Sequence, residues 1–161
     1  METFSFKPIG IIFTPYQDPQ GTPIQAAASL GVQGRIQIFP EYQEGLQDVE
    51  GFSHLILIYV FHLCRDYSLK VKPFLDDVKR GVFATRAPAR PNPIGLSVVR
   101  LKRVEEETLY ISDVDMLDGT PLLDLKPYVP EFDHRAGARI GWLKKNLDKL
   151  KNAKDDGRFL I

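Results

Sequence analysis

Residues 54–64 read HLILIYVFHLC, apolar at odd and even positions alike. A run this rich in Leu, Ile, Val, Tyr and Phe suits a strand covered on both faces. Its unbroken apolar part, residues 55–61, is far too short to cross a bilayer as a helix. Around it, 12 prolines and 12 glycines are spread along 161 residues as turn punctuation. Between them the pattern stays strand-like. Residues 4–13 form a candidate first strand, interrupted near Pro8, and 34–39 alternate around Ile36 and Ile38. A short strand is expected at 81–85. Two more, 94–104 and 108–116, flank the charged turn Glu105-Glu106-Glu107, and 122–128 form a last one.

Helical signals are few. Residues 40–49 suit one or two turns, and 69–78 are ambiguous. The best helix is expected at 140–152, where Leu143, Leu147 and Leu150 follow i, i+4, i+7 spacing with lysines on the other faces. From Asp155 onward the chain reads as a tail that docks if Phe159 and Leu160 find a pocket. Six or seven short strands with few helices predict an all-β barrel or sandwich.

Apolar residues at 43% and charged residues at 26% are ordinary for a folded chain. The 21 basic and 21 acidic side chains cancel, which is not the mark of a general nucleic-acid binder. If RNA is met, local patches or a second copy must supply the positive field. The one cysteine, Cys64, cannot form an internal disulfide, and a reducing compartment fits. The opening METFSFKPIGIIF lacks the basic n-region and apolar stretch of a signal peptide.

The densest chemistry lies in GVFATRAPARPNPIGLS at 81–97. Its prolines fix φ and remove N–H donors, so the loop has few conformations to lose. It therefore presents Arg86, Arg90 and Asn92 at set positions, either as a clamp for a carboxylate or phosphate or as solvated cations on a stiff turn. A second stretch is VDMLDGTPLLDLKPYVP at 114–130. Asp118-Gly119-Thr120-Pro121 is turn chemistry that also offers backbone N–H groups and a carboxylate for ribose hydroxyls. Asp124, Lys126 and Tyr128 share parity, on a face that is either solvated or lines a pocket. A third stretch, GTPIQ at 21–25, is weak alone.

Familiar alternatives are missing. There is no G-x-G-x-x-G, no Walker A motif and no G-x-S-x-G elbow. His54 and His62 share a face with Cys64, but the close spacing of a metal site is absent, so they read as strand histidines and no metal is expected. His134 falls in a loop before the last helix.

Together these stretches resemble the TrmO/YaeB/VirR family, from about residue 6 to 133. The likeness rests on PIG at 8–10, PIQ at 23–25, FPEY at 39–42 and EGFSHLILIYVFH at 50–62. ATRAPARPNPIGLS at 84–97 and DGTPLLDLKPYVP at 118–130 complete it. The resemblance implies a mainly β fold: one compact β-barrel domain over 1–161, core about 4–133, with few short helices and a C-terminal helix. No additional C-terminal domain of the kind bacterial members carry is expected. It implies a cytoplasmic homodimer that uses S-adenosyl-L-methionine (SAM) to methylate the exocyclic nitrogen of N6-threonylcarbamoyladenosine in the tRNA anticodon loop. By motif, the cofactor site comprises Pro23, Ile24, Gln25, His62, Leu63, Arg86 and Leu96, closed by Asp118, Gly119, Thr120 and Pro121.

The acceptor is a ureido nitrogen with a delocalised lone pair, so a general base helps, and Asp124 is the candidate. A cation should meet the threonyl carboxylate, and Arg90 or Lys126 is placed to do so. Lys144, Lys145, Lys149 and Lys151 are candidates for phosphate contacts, or else are solvated. Three other readings stand beside this one: the same fold with another acceptor, a non-catalytic SAM sensor, and a small barrel without a SAM site.

Overall fold

The computed structural model describes residues 2–160. Six strands close into a barrel: β1 (Gly10–Phe13), β2 (Gln33–Ile38), β3 (His54–Val60), β6 (Ile94–Glu105), β7 (Thr108–Ser112) and β8 (Thr120–Pro127). Around the barrel they run β1-β2-β7-β6-β3-β8, and every pairing is antiparallel. β4 (Lys70–Val71) and β5 (Arg80–Gly81) form a small hairpin outside it.

Strand alternation builds the core. Leu55, Leu57 and Tyr59 of β3 point inward with Ile12, Ile36, Val99, Leu109 and Leu122. The opposite face of β3 differs from the expectation that both sides would be buried. Ile56, Ile58 and Val60 are half-buried on the barrel's outer wall, paired with Val98, Leu96 and Ile94 of β6. The run at 54–64 is apolar at both parities because its outer side forms an apolar strip with β6.

The expected strands at 34–39, 94–104 and 122–128 are β2, β6 and β8 within a few residues. The first strand is shorter than 4–13, because Pro8 has no N–H for the ladder and Phe4 and Phe6 lie exposed. β7 ends at Ser112, since Asp113 adopts a left-handed φ of 70° that turns the chain. Of 81–85 only Gly81 is in a strand, and Val82–Ala84 is a 3-10 turn. The ambiguous 69–78 segment contributes β4. Residues 40–49 do form helical turns, Pro40–Leu46 and Val49–Gly51.

The helix expected at 140–152 is instead two 3-10 turns, Gly141–Lys145 and Leu147–Asn152. Gly141 enters at φ 56°, and Asn146 breaks the run at φ −126° and ψ 0°. Leu143, Leu147 and Leu150 still line the same cavity at the barrel's rim, carried there by the two short turns. The only α-helical turn among the described residues is α1 (Pro130–Asp133).

The tail does dock. Phe159 is 6% exposed, in a second apolar cluster with Val71, Val82, Ala87 and Ala89, and stacks edge-on against Phe74. Leu160 stays half exposed. Asp155 pairs with the 21–22 segment through two backbone hydrogen bonds. Its carbonyl accepts the Gly21 N–H at 2.6 Å, and its N–H donates to the Thr22 carbonyl at 2.8 Å. No helix among the described residues is long and apolar enough to cross a membrane.

Candidate active site

The 82–93 segment leaves β5 and folds over the barrel's rim before entering β6. Two small residues, Ala87 and Ala89, are buried beneath it, while Arg86 remains exposed. Arg90 braces the loop from within, its Nη1 donating to the Thr85 and Ala87 carbonyls at 3.2 and 3.3 Å. Arg86 reaches outward, and its Nη1 donates to Gln25 Oε1 at 3.0 Å. The proline frame thus sets both guanidiniums at the wall of a cavity, Arg90 braced through Nη1 and Arg86 tied to Gln25.

That cavity, about 890 Å³, lies at the end of the barrel. Ligand pockets commonly enclose roughly 300–1,000 Å³, so it has room for a nucleoside-sized molecule. Its walls come from several parts of the chain. The 19–25 segment supplies Pro23, Ile24 and Gln25; β3 and the turn after it supply Tyr59, His62 and Leu63. The proline loop and β6 supply Arg86, Arg90 and Leu96, and the chain after β7 supplies Asp115 and Met116. The C-terminal turns close one side with Trp142, Leu143 and Leu147.

A hydrogen-bonded chain lies at the cavity's base. The Ser97 hydroxyl donates to Asp115 Oδ1 at 2.6 Å, and Tyr59 Oη is 3.0 Å from Ser97 Oγ. Burial pushes the Asp115 carboxyl up to about 6, against the opposing effects of the Ser97 hydroxyl, backbone N–H groups and the Arg86 charge. Burial also keeps the Tyr59 phenol protonated far above its usual range. The strand-strand approach here is close: a Cβ on Gly95 would collide with the Tyr59 ring.

Of the residues that the sequence marks, Pro23, Ile24, Gln25, His62, Leu63, Arg86, Arg90, Leu96 and Thr120 come together around this cavity. Asp118, Gly119 and Pro121 do not line it. Asp118 is occupied in holding the end of β1, accepting from the Thr14 N–H at 3.0 Å and Gln17 Nε2 at 3.2 Å. Gly119 supplies the left-handed φ of 72° that the turn needs, which lets Thr120 reach back to the Leu117 carbonyl at 2.7 Å. Asp124 and Lys126 stand apart, on the outer face of β8 beside Ile58 and Ile56, paired to each other at 2.7 Å. Neither belongs to the cavity lining.

Tyr59, Asp115 and Trp142 join the site without a sequence signal of their own. Asp115 is an acidic residue between the buried Val114 and Met116, and only barrel closure shows that its partner is Ser97. No cluster of three or more potential metal ligands occurs among the described residues. His54 instead bonds Ser53 Oγ at 2.9 Å and stacks against Tyr128.

Fold and cavity together define a β-barrel small-molecule-binding protein that works without a Rossmann phosphate loop. The family model of the tRNA-methyltransferase O N-terminal domain matches residues 11–134, and the chain belongs to that family. A probable S-adenosyl-L-methionine-binding protein of Pyrococcus abyssi is 59% identical over 154 residues, covering 96% of this chain and 84% of that one. A tRNA (adenine(37)-N6)-methyltransferase of Homo sapiens is 40% identical over 136 residues, 79% of this chain and 30% of the human protein. The crystal structure of TrmO from Pseudomonas aeruginosa matches with a TM-score of 0.73 at 39% identity, covering 88% of this chain and 63% of that one. The chain therefore spans less than two thirds of the last two proteins.

Proposed function

We propose that this protein is a SAM-dependent tRNA methyltransferase that modifies the exocyclic nitrogen of N6-threonylcarbamoyladenosine beside the anticodon. The observation that carries the reading is the rim cavity, which gathers nine of the residues marked by sequence and encloses about 890 Å³. Its chemistry fits SAM. Apolar walls from Ile24, Leu63, Leu96 and Met116 suit an adenine ring. When bound, SAM would supply an electrophilic methyl on a sulfonium.

The chain's own residues divide the remaining work. Pro23, Ile24, Gln25, His62, Leu63, Arg86, Leu96 and Thr120 hold the cofactor, with Arg86 kept in place by Gln25. Asp118, Gly119 and Pro121 act one step back by shaping the turn that presents Thr120. Arg90 lines the cavity and is the cation for the threonyl carboxylate; Lys126, tied to Asp124 on the outer wall, is not. Fixing donor and acceptor in one cavity supplies much of the rate, because alignment replaces a bimolecular encounter.

Exposed Lys144, Lys145, Lys149 and Lys151 lie in the same turns as the Leu143, Leu147 and Leu150 wall and meet tRNA phosphates. The outer apolar strip of Ile56, Ile58 and Val98, half-buried on β3 and β6, is the surface for a homodimer. A tRNA substrate puts the protein to work in the cytoplasm. The positive charge that meets the substrate comes from these local patches, since the chain's net charge is zero.

A second reading is a SAM-binding protein of the same fold without this acceptor, favoured by the name of the Pyrococcus abyssi relative, which states binding alone. The separating experiment is mass spectrometry of nucleosides digested from tRNA after incubation with protein and SAM. One added methyl on threonylcarbamoyladenosine supports the proposal, and a methyl on another nucleoside supports a different acceptor. No added methyl, with SAM bound, supports the second reading.

A further inference from the structure

The proton positions at the base of the cavity follow from geometry. Ser97 has one hydroxyl proton and donates it to Asp115 Oδ1 at 2.6 Å. The 3.0 Å hydrogen bond between Tyr59 and Ser97 is therefore donated by Tyr59. Both protons run toward Asp115, so the chain ends on a carboxylate that only accepts. Asp115 lines the cavity, and besides Ser97 its carboxylate meets the backbone N–H groups of Ala26 and Asp115. A barrel core needs no such group for packing. Yet three polar side chains from separate segments converge here, Tyr59 lying 38 residues from Ser97 and Ser97 lying 18 from Asp115.

Resting on the methyl-transfer reading, we propose that Asp115 takes the proton from the acceptor nitrogen, with Ser97 and Tyr59 as its positioning residues. The other carboxylate of the cavity, Asp155, is engaged in the tail, where it accepts the Gly157 N–H at 2.7 Å. Asp124 stands on the outer wall, away from the cavity. The charged and titratable groups facing Asp115 are Arg86 from the proline loop and Tyr59 from β3, with the Ala26 N–H from the 26–28 turn. Burial raises the carboxyl to about 6 while the donors hold it from rising further. It is then ionised at neutral pH yet basic enough to accept a proton.

In the step, the Asp115 carboxylate accepts the proton as the nitrogen's electron pair closes on the methyl carbon. The carbon–sulfur bond breaks with its pair left on sulfur, and the sulfonium becomes a neutral thioether. Asp115, now protonated, returns the proton to water as product leaves.

The test uses the full chain and threonylcarbamoyl-modified tRNA. Asp115→Asn should lower kcat at saturating SAM by about a hundredfold or more while SAM affinity by calorimetry stays within about twofold. Ser97→Ala should lower kcat less and move the acidic limb of the pH–rate profile upward, since it removes a donor that favours the carboxylate, and Tyr59→Phe should lower kcat less because it frees the Ser97 hydroxyl from its second partner. In the protein without ligand, the Asp115 carboxyl carbon followed by NMR should titrate near the wild-type rate limb and shift upward in Ser97→Ala. Wild-type kcat in Asp115→Asn would overturn the inference and leave the methyltransferase reading standing. Weakened SAM affinity with kcat kept at saturation would make Asp115 a cofactor anchor and also overturn it. No methyl transfer by the wild-type chain to any tRNA would overturn both.

Discussion

The Trp142 indole N–H donates to the Ala84 carbonyl at 2.8 Å, across 58 residues of sequence. The bond fastens the C-terminal turns to the loop that carries Arg86, and the Arg80 guanidinium packs over the same ring with 5.6 Å to its centroid. One wall of the cavity thus comes from residues beyond the 11–134 span of the family match.

Trp142→Ala removes both the bond and the wall. SAM affinity should weaken about five- to tenfold, or about 1 kcal/mol, with a melting temperature a few degrees lower. Titration calorimetry reads the first and differential scanning the second. Unchanged SAM affinity would mean that the C-terminal segment does not shape the cofactor site.

Gly95→Ala places a methyl against the Tyr59 ring, which is itself hemmed in by Phe61 with centroids 5.5 Å apart. Overpacking of this kind costs about 1–3 kcal/mol. Denaturant unfolding should show that destabilisation, and SAM binding should fall with it because Tyr59 and Gly95 both border the cavity. A neutral substitution would show that β3 and β6 can part at this point.

Asp115 also makes stability depend on pH. Its carboxyl rises from the usual 3.8 to about 6 on folding. Between those values the folded chain keeps a proton that the unfolded chain has released. Stability therefore falls as pH rises through that window and stays lower above it. Asp115→Asn should be more stable than wild type at pH 7.5 by roughly 1–3 kcal/mol, with the gain shrinking toward zero below about pH 4. Unfolding midpoints at the two pH values check this. A stability gain joined to a fall in activity is the usual pattern for a functional group held at a cost to the fold.

The barrel is legible in the sequence because its strands carry their own punctuation. The alternation in β2, β6 and β8 and the prolines and glycines between them locate most elements within a few residues. The C-terminal turns look like one helix in sequence because Leu143, Leu147 and Leu150 have helical spacing, whereas Gly141 and Asn146 break the run along the rim they cover. Arg86 stands out because its loop is dense in proline and polar groups, whereas Gln25, in a stretch that is weak alone, is marked only by the family resemblance. Asp115 does not, because its role depends on Ser97 and Tyr59, which only closure of the barrel brings to it. Asp124 and Lys126 share strand parity, and parity alone does not say whether a face looks into a cavity or out to solvent.

Replacing Lys144, Lys145, Lys149 and Lys151 together with glutamine should weaken tRNA binding and flatten its dependence on salt. For each lysine that meets a phosphate, the slope of log affinity against log salt should become shallower by roughly 0.7–0.9. The four side chains are exposed, so the fold should be unaffected. An unchanged slope would mean that the lysines are solvated and that tRNA is held elsewhere.

The most direct measurement is methyl transfer from labelled SAM to two tRNA pools that differ only in the threonylcarbamoyl group. The account predicts label in the modified pool and none in the unmodified one. Equal labelling of both pools, or no labelling of either while SAM binds, would contradict it.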